Sequence, residues 1–156
     1  MVKIKLPEMT DQEVESVLSN ENICRIAFIE DSYPYICPFQ YVYLKNQLYF
    51  HLTNYGKKMR ILKKNNNVCV SIEKLEEDLS SYSFISIQGK LVQIEDKEIL
   101  KLVIREMVDK AKGQFSRNFL AAHGFRGEDG WESLIEDKLL IYKLEEVGIR
   151  IGLKSY

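Results

Sequence analysis

The chain has 156 residues, with 22 basic side chains against 23 acidic ones and a net charge of −1. That length holds one domain with a full core and not two ordinary ones. The near-neutral balance argues against an extended nucleic-acid footprint.

Three cysteines, Cys24, Cys37 and Cys69, are widely spaced and form no CxxC pair. This argues against a zinc site and for core thiols in a reducing compartment. Met1 to Pro7 lacks the apolar stretch of a signal peptide, and no run reaches transmembrane length. The expected setting is cytoplasmic.

In chain order, Thr10-Asp-Gln-Glu13 is a capping box. Val14, Val17 and Leu18 continue it at helical spacing, as a short helix ending near Asn20. Ile23 to Ile29 reads as a strand, Glu30 to Pro34 as a turn, and Tyr35 to Leu44 as a second strand. Pro38 lies inside that second strand. A proline there removes a ladder donor, so it marks an edge, a bulge or a ligand approach.

Leu48 to Leu62 begins as a strand with Tyr49, Phe50 and Leu52 and ends as a helix. Thr53 and Asn54 are cap-type residues, and Gly56 permits a tight turn. Lys57 and Lys58 then fall in the first helical turn, where carboxylates are ordinarily preferred. Either an anion such as a phosphate sits among them, or they form a solvated basic turn.

Asn65-Asn-Asn67 stops the helix. Val68 to Ile72 reads as a strand, Lys74 to Ser81 as a charged loop, and Tyr82 to Glu95 as a long strand with a bulge at Gly89. From Asp96, Leu100, Val103, Ile104, Met107, Val108 and Ala111 give one apolar helical face, ending near Gly113. That helix is expected to pack on a barrel. Gln114 to Asp129 reads as short turns and loop, with His123 at the surface, and Trp131 to Ile135 as one more turn. Lys138 to Leu144 is expected as a strand, and Val147 to Leu153 as another short one, itself split by Gly148 and Gly152. Six or seven mostly sequential strands with two or three helices suit a single domain over 1–156, an antiparallel barrel with peripheral helices.

Tyr33-Pro-Tyr-Ile-Cys-Pro-Phe-Gln-Tyr41, Leu48-Tyr-Phe-His-Leu-Thr-Asn-Tyr-Gly-Lys-Lys58 and Asn65-Asn-Asn-Val-Cys-Val70 occur in that order. The set resembles the flavin-binding split barrel of the pyridoxamine 5′-phosphate oxidase-like superfamily. Within it, the pattern is most similar to the nitroimidazole-resistance (Nim-type) branch. The resemblance implies a mainly β, FMN-binding split barrel that dimerises with flavin between the subunits. Lys57, Lys58 and Thr53 would meet the flavin phosphate. Cys37, Pro38, Phe39, Gln40 and Tyr41 would line the ring, with His51 and Leu52 beside the ring or the ribityl chain. Trp131 would cover the site, and His51 is the candidate for proton transfer. The second strand carries no basic residue, and Val147 to Tyr156 no histidine. The likeness therefore omits the elements with which the oxidase proper holds vitamin B6.

The implied function is an FMN-dependent oxidoreductase acting on a small organic molecule. No GxGxxG motif is present, so NAD(P)H would be a transient electron donor. Two alternatives stay open: a non-catalytic flavin carrier or sensor, and a related barrel holding haem or a deazaflavin.

Overall fold

A computed structural model describes residues 5–114 and 139–155. The readings for 115–138, including His123 and Trp131, lie outside the described residues. The elements are α1 (Asp11–Asn20), β1 (Ile23–Glu30), β2 (Tyr33–Leu44), β3 (Gln47–Thr53), α2 (Lys57–Leu62), β4 (Asn67–Leu75), β5 (Tyr82–Gln93), α3 (Lys97–Gln114) and β6 (Leu139–Lys154). The capping box is formed: the Glu13 amide donates to Thr10 Oγ1 at 3.3 Å, and the Thr10 amide to Glu13 Oε2 at 2.8 Å.

The strands close a barrel in the order β1-β2-β3-β6-β5-β4, with every pairing antiparallel. Alternation sorts the side chains. Cys24, Ile26 and Phe28 of β1, Val70 and Ile72 of β4, and Ile85 and Ile87 of β5 fill the interior. α1 adds Val14, Val17 and Leu18 to the same core. Its last turn is tied to the barrel by the buried Tyr41 hydroxyl, which donates to the Leu18 carbonyl at 3.0 Å.

A second apolar cluster lies outside the barrel. Val103 and Ile104 of α3 pack on Tyr49 of β3 and Ile141 of β6, with Leu100, Met107 and Val108 around them. The face expected from the helical spacing is therefore the face that docks. Asp96 is the cap, its Oδ1 accepting from the amides of Glu98 and Ile99. Among the described residues no helix is long and apolar enough to cross a membrane.

The last strand differs from expectation. Leu139–Lys154 is one 16-residue strand and not two. Its first part pairs with β3 and most of its length with β5, so one extended segment bridges two neighbours. Gly148 lies where the β5–β6 register shifts, between the Ile87↔Arg150 and Gly89↔Glu146 pairs, so it accommodates an irregularity within the strand. A Cβ on Gly152 would come 2.9 Å from Val14 Cγ2, so this glycine lets α1 approach the sheet. Gly89 serves the same purpose between strands, since a Cβ there would meet the Glu145 carbonyl oxygen at 2.5 Å.

β2 changes partners along its length, so each half pairs on one side only among the described residues. Tyr33 to Gln40 pair with β1, whereas Tyr41 to Leu44 pair with β3. Among the described residues, no strand pairs with the other edge of the Tyr33–Gln40 half. Pro38 therefore sits on a local edge, where its missing N–H costs no ladder bond.

Candidate functional site

β3 runs out at Thr53, and the chain turns through Asn54, Tyr55 and Gly56 into α2. Gly56 has φ 93° and ψ −177°, a conformation open essentially to glycine alone. It is the N-cap residue, and no side chain caps the helix. Thr53 Oγ1 donates instead to the Tyr55 carbonyl at 3.3 Å. The first amides of α2 thus lack a capping side chain and remain donors.

The two lysines take different surroundings. Lys57 Nζ lies 2.6 Å from Glu30 Oε2 and 4.7 Å from the centre of the Tyr35 ring. Arg60 Nη2 approaches the other oxygen of the same carboxylate at 3.6 Å. Hydrogen bonding from Lys57 holds the Glu30 carboxyl below its ordinary range. Lys58 Nζ lies 5.4 Å from the centre of the Phe39 ring, and among the described residues no carboxylate reaches salt-bridge distance from it. Beside the Glu30–Arg60 contact, a cleft of about 460 Å³ is lined by Ile29, Glu30, Asp31, Arg60, Ile61, Lys64 and Asn65.

β2 contributes the candidate wall in two layers. Cys37, Phe39 and Tyr41 point inward, and Phe39 and Tyr41 are fully within the core. Phe28 braces them, with its ring centre 6.1 Å from Tyr35 and 6.0 Å from Phe39. Burial pushes the Cys37 thiol up, which suits a packing thiol and not a thiolate. Pro38 and Gln40 point outward. The Gln40 side-chain nitrogen is closed off from solvent yet has no hydrogen-bond partner among the described residues. A buried amide donor left unmatched is costly, so it marks a place where a ligand acceptor fits.

On β3, His51 is half-buried on the outer face opposite Ile141, whereas Leu52 turns into the core. Leu52 therefore offers a ligand only its backbone. The structure brings Lys57 and Lys58 against the Tyr35, Cys37 and Phe39 stretch of β2, with Pro38 and Gln40 on the opposite face of that strand. Trp131 lies outside the described residues. Glu30 was missed by sequence reasoning, which assigned it to a turn. No spacing rule couples a strand end to a helix 27 positions later, and the contact appears only once α2 crosses β1. Chemically, the arrangement offers cations and free amides to an anion, and a backbone edge with a buried donor to a flat polar molecule.

The closed six-stranded antiparallel order, with β2 shared between β1 and β3, fits a split barrel. A family profile for pyridoxamine 5′-phosphate oxidase matches residues 10–125, and the chain belongs to that family. No curated protein matches the chain. Among solved structures it is similar to an FAD-binding protein of Mesorhizobium loti, at 19% identity and TM-score 0.66, covering 98% of this chain and 100% of that one. A NimC/NimA family protein of Clostridium acetobutylicum matches at 16% identity and TM-score 0.60, covering 93% and 87%. HutZ, the haem storage protein of Vibrio cholerae, matches at 13% identity and TM-score 0.66, covering 92% and 94%.

Proposed function

We propose that this chain binds FMN and works as an oxidoreductase on a small organic molecule, as a homodimer. The observation that carries the reading is the junction of α2 with the unpaired half of β2. Uncapped amides and a lysine with no carboxylate partner among the described residues lie beside a strand edge that no described strand covers. Lys57, Lys58 and the amides from Gly56 onward would hold the phosphate. The Pro38 to Tyr41 edge and the orphaned Gln40 nitrogen would hold the polar rim of the ring. The FAD-binding protein of the same fold supports a flavin as the ligand class.

Bound flavin supplies electron exchange between a reduced nicotinamide and the acceptor. This chain's own part is to bind, orient and exclude water. His51, half-buried on the outer face of β3, is the group assigned to deliver a proton from its imidazole to the acceptor.

The homodimer reading rests on the outer face of the barrel. Ile29, Ile36, Val147, Ile149 and Ile151 are each 44–62% exposed. Ala27, Ile29, Pro34, Cys69 and Val147 line one groove on that face. So many exposed branched side chains on one face are characteristic of an interaction surface. Sedimentation of wild type and Ile36→Asp tests it: the dimer should dissociate in the variant, and a monomeric wild type refutes the assembly.

The functional test is the absorption spectrum of the purified chain with added FMN, followed by turnover with NAD(P)H and a nitroaromatic or quinone acceptor. Flavin bands with saturable binding are expected. A protein that stays colourless and fails to bind FMN overturns the reading. A haem band in place of flavin bands redirects it to the haem alternative, and binding without turnover to a carrier.

A further inference from the structure

Glu30 carries an inference that rests on the flavin reading and deepens it. Its carboxylate bridges two cations of α2, Lys57 at 2.6 Å and Arg60 at 3.6 Å. Lys57 is one of the two groups assigned to the ligand phosphate. An internal anion therefore already engages one lysine of the proposed phosphate cradle. The Tyr35 ring, 4.7 Å from Lys57 Nζ, also contacts the ammonium and keeps it near that carboxylate.

A second feature gives Glu30 somewhere to go. The cleft beside it is lined by Arg60, Lys64 and Asn65 as well as Glu30. Lys57, Arg60 and Lys64 are spaced three and four apart, so they follow one side of the helical turn and its continuation. A carboxylate displaced from Lys57 can keep Arg60 and move toward Lys64. The electrostatic cost of releasing Lys57 is then partly recovered within the chain.

We propose that Glu30 is a built-in competitor for the phosphate, which the ligand must displace from Lys57 on binding. Glu30 thereby lowers the affinity for phosphorylated flavin without touching the ring subsite. It also screens the cradle against weak anions, which cannot displace it. The opposing role is that Glu30 positions Lys57 for the phosphate, and the two roles predict effects of opposite sign.

The experiment measures dissociation constants of FMN, riboflavin and inorganic phosphate for the full chain, at low ionic strength, in wild type, Glu30→Gln and Glu30→Ala. Both variants remove the charge, and only the first leaves an amide that could itself bond to phosphate. Removing an exposed ion-pair competitor should tighten FMN by about threefold or more in both variants. Inorganic phosphate should tighten alongside it, and riboflavin should be unchanged. Unchanged or weaker FMN binding in both variants overturns the proposal and leaves the flavin reading standing. A gain confined to Glu30→Gln also overturns it, because the amide and not the lost competition would be responsible. Should wild type bind neither FMN nor riboflavin, the flavin reading fails and this inference fails with it.

Discussion

Replacing Lys58 with alanine should weaken FMN binding more than replacing Lys57, although the two are adjacent and chemically alike. Lys58 has the Phe39 ring beside it and no described carboxylate within salt-bridge distance. It can turn to a phosphate without giving up an ion pair. A hydrogen bond involving a charged group is worth about 1.5–3 kcal/mol, so its loss should raise the dissociation constant roughly ten- to 150-fold. Lys57 must first release Glu30, and giving up that solvent-screened ion pair offsets part of the gain. Its net contribution is smaller for that reason, and Lys57→Ala should cost less than Lys58→Ala. The assay is quenching of flavin fluorescence on titration with protein, with FMN and riboflavin in parallel. Riboflavin has no phosphate, so its affinity should be the same in wild type and both variants. Thermal unfolding without ligand checks that the fold is intact. If Lys57→Ala costs more than Lys58→Ala, or if riboflavin weakens as much as FMN, the assignment of these lysines to phosphate is wrong.

Other consequences concern the scaffold. Leu52→Ala should destabilise the chain by about 2–5 kcal/mol in urea unfolding, because its side chain is fully buried inside the barrel. A change below about 1 kcal/mol would mean that Leu52 faces a cavity and not the core. Gly89→Ala should be destabilising through the collision with the Glu145 carbonyl and Leu144, and Gln88→Ala, on an exposed neighbour, should be near neutral. Equal melting temperatures for the two would remove the close-approach argument. The tyrosines set the alkaline limit. Burial, then the hydrogen bond to Glu15, pushes Tyr43 up to about 12, and burial also raises Tyr41. An unfolded tyrosine ionises near about 10, so above that pH the native state holds protons that the unfolded state has lost. This stabilisation is complete below about pH 10 and drains away toward pH 12. Urea midpoints at increasing alkalinity should therefore fall, and the fall should shrink in Tyr43→Phe.

Much of the fold was legible because its signals are local. The Thr10 capping box, the α3 stripe and the Asn65 to Asn67 stop each specify a short stretch without reference to the rest. Pro38 correctly signalled an edge, but only the pairing pattern shows that the edge covers half of β2. β6 was expected as two strands, broken at Glu145-Glu146 and with the second split again at its glycines, and a glycine has two meanings in a strand. It can interrupt the strand, or it can let a neighbour come close, and only the position of Val14 beside Gly152 decides between them.

The site was legible to a lesser degree, and the reason is electrostatic. Two lysines at a helix start suggest an anion, but the sequence does not say which anion is nearest. Glu30 belongs to a different strand, 27 residues away, and reads there as turn material. Once the barrel closes, it becomes the counter-charge of one lysine and not of the other. The Lys57-Lys58 pair, symmetrical on paper, therefore splits into a lysine held by the protein and one left without a described carboxylate. An anion bound here would meet Lys58 without displacing any described carboxylate, and would meet Lys57 only by competing with Glu30.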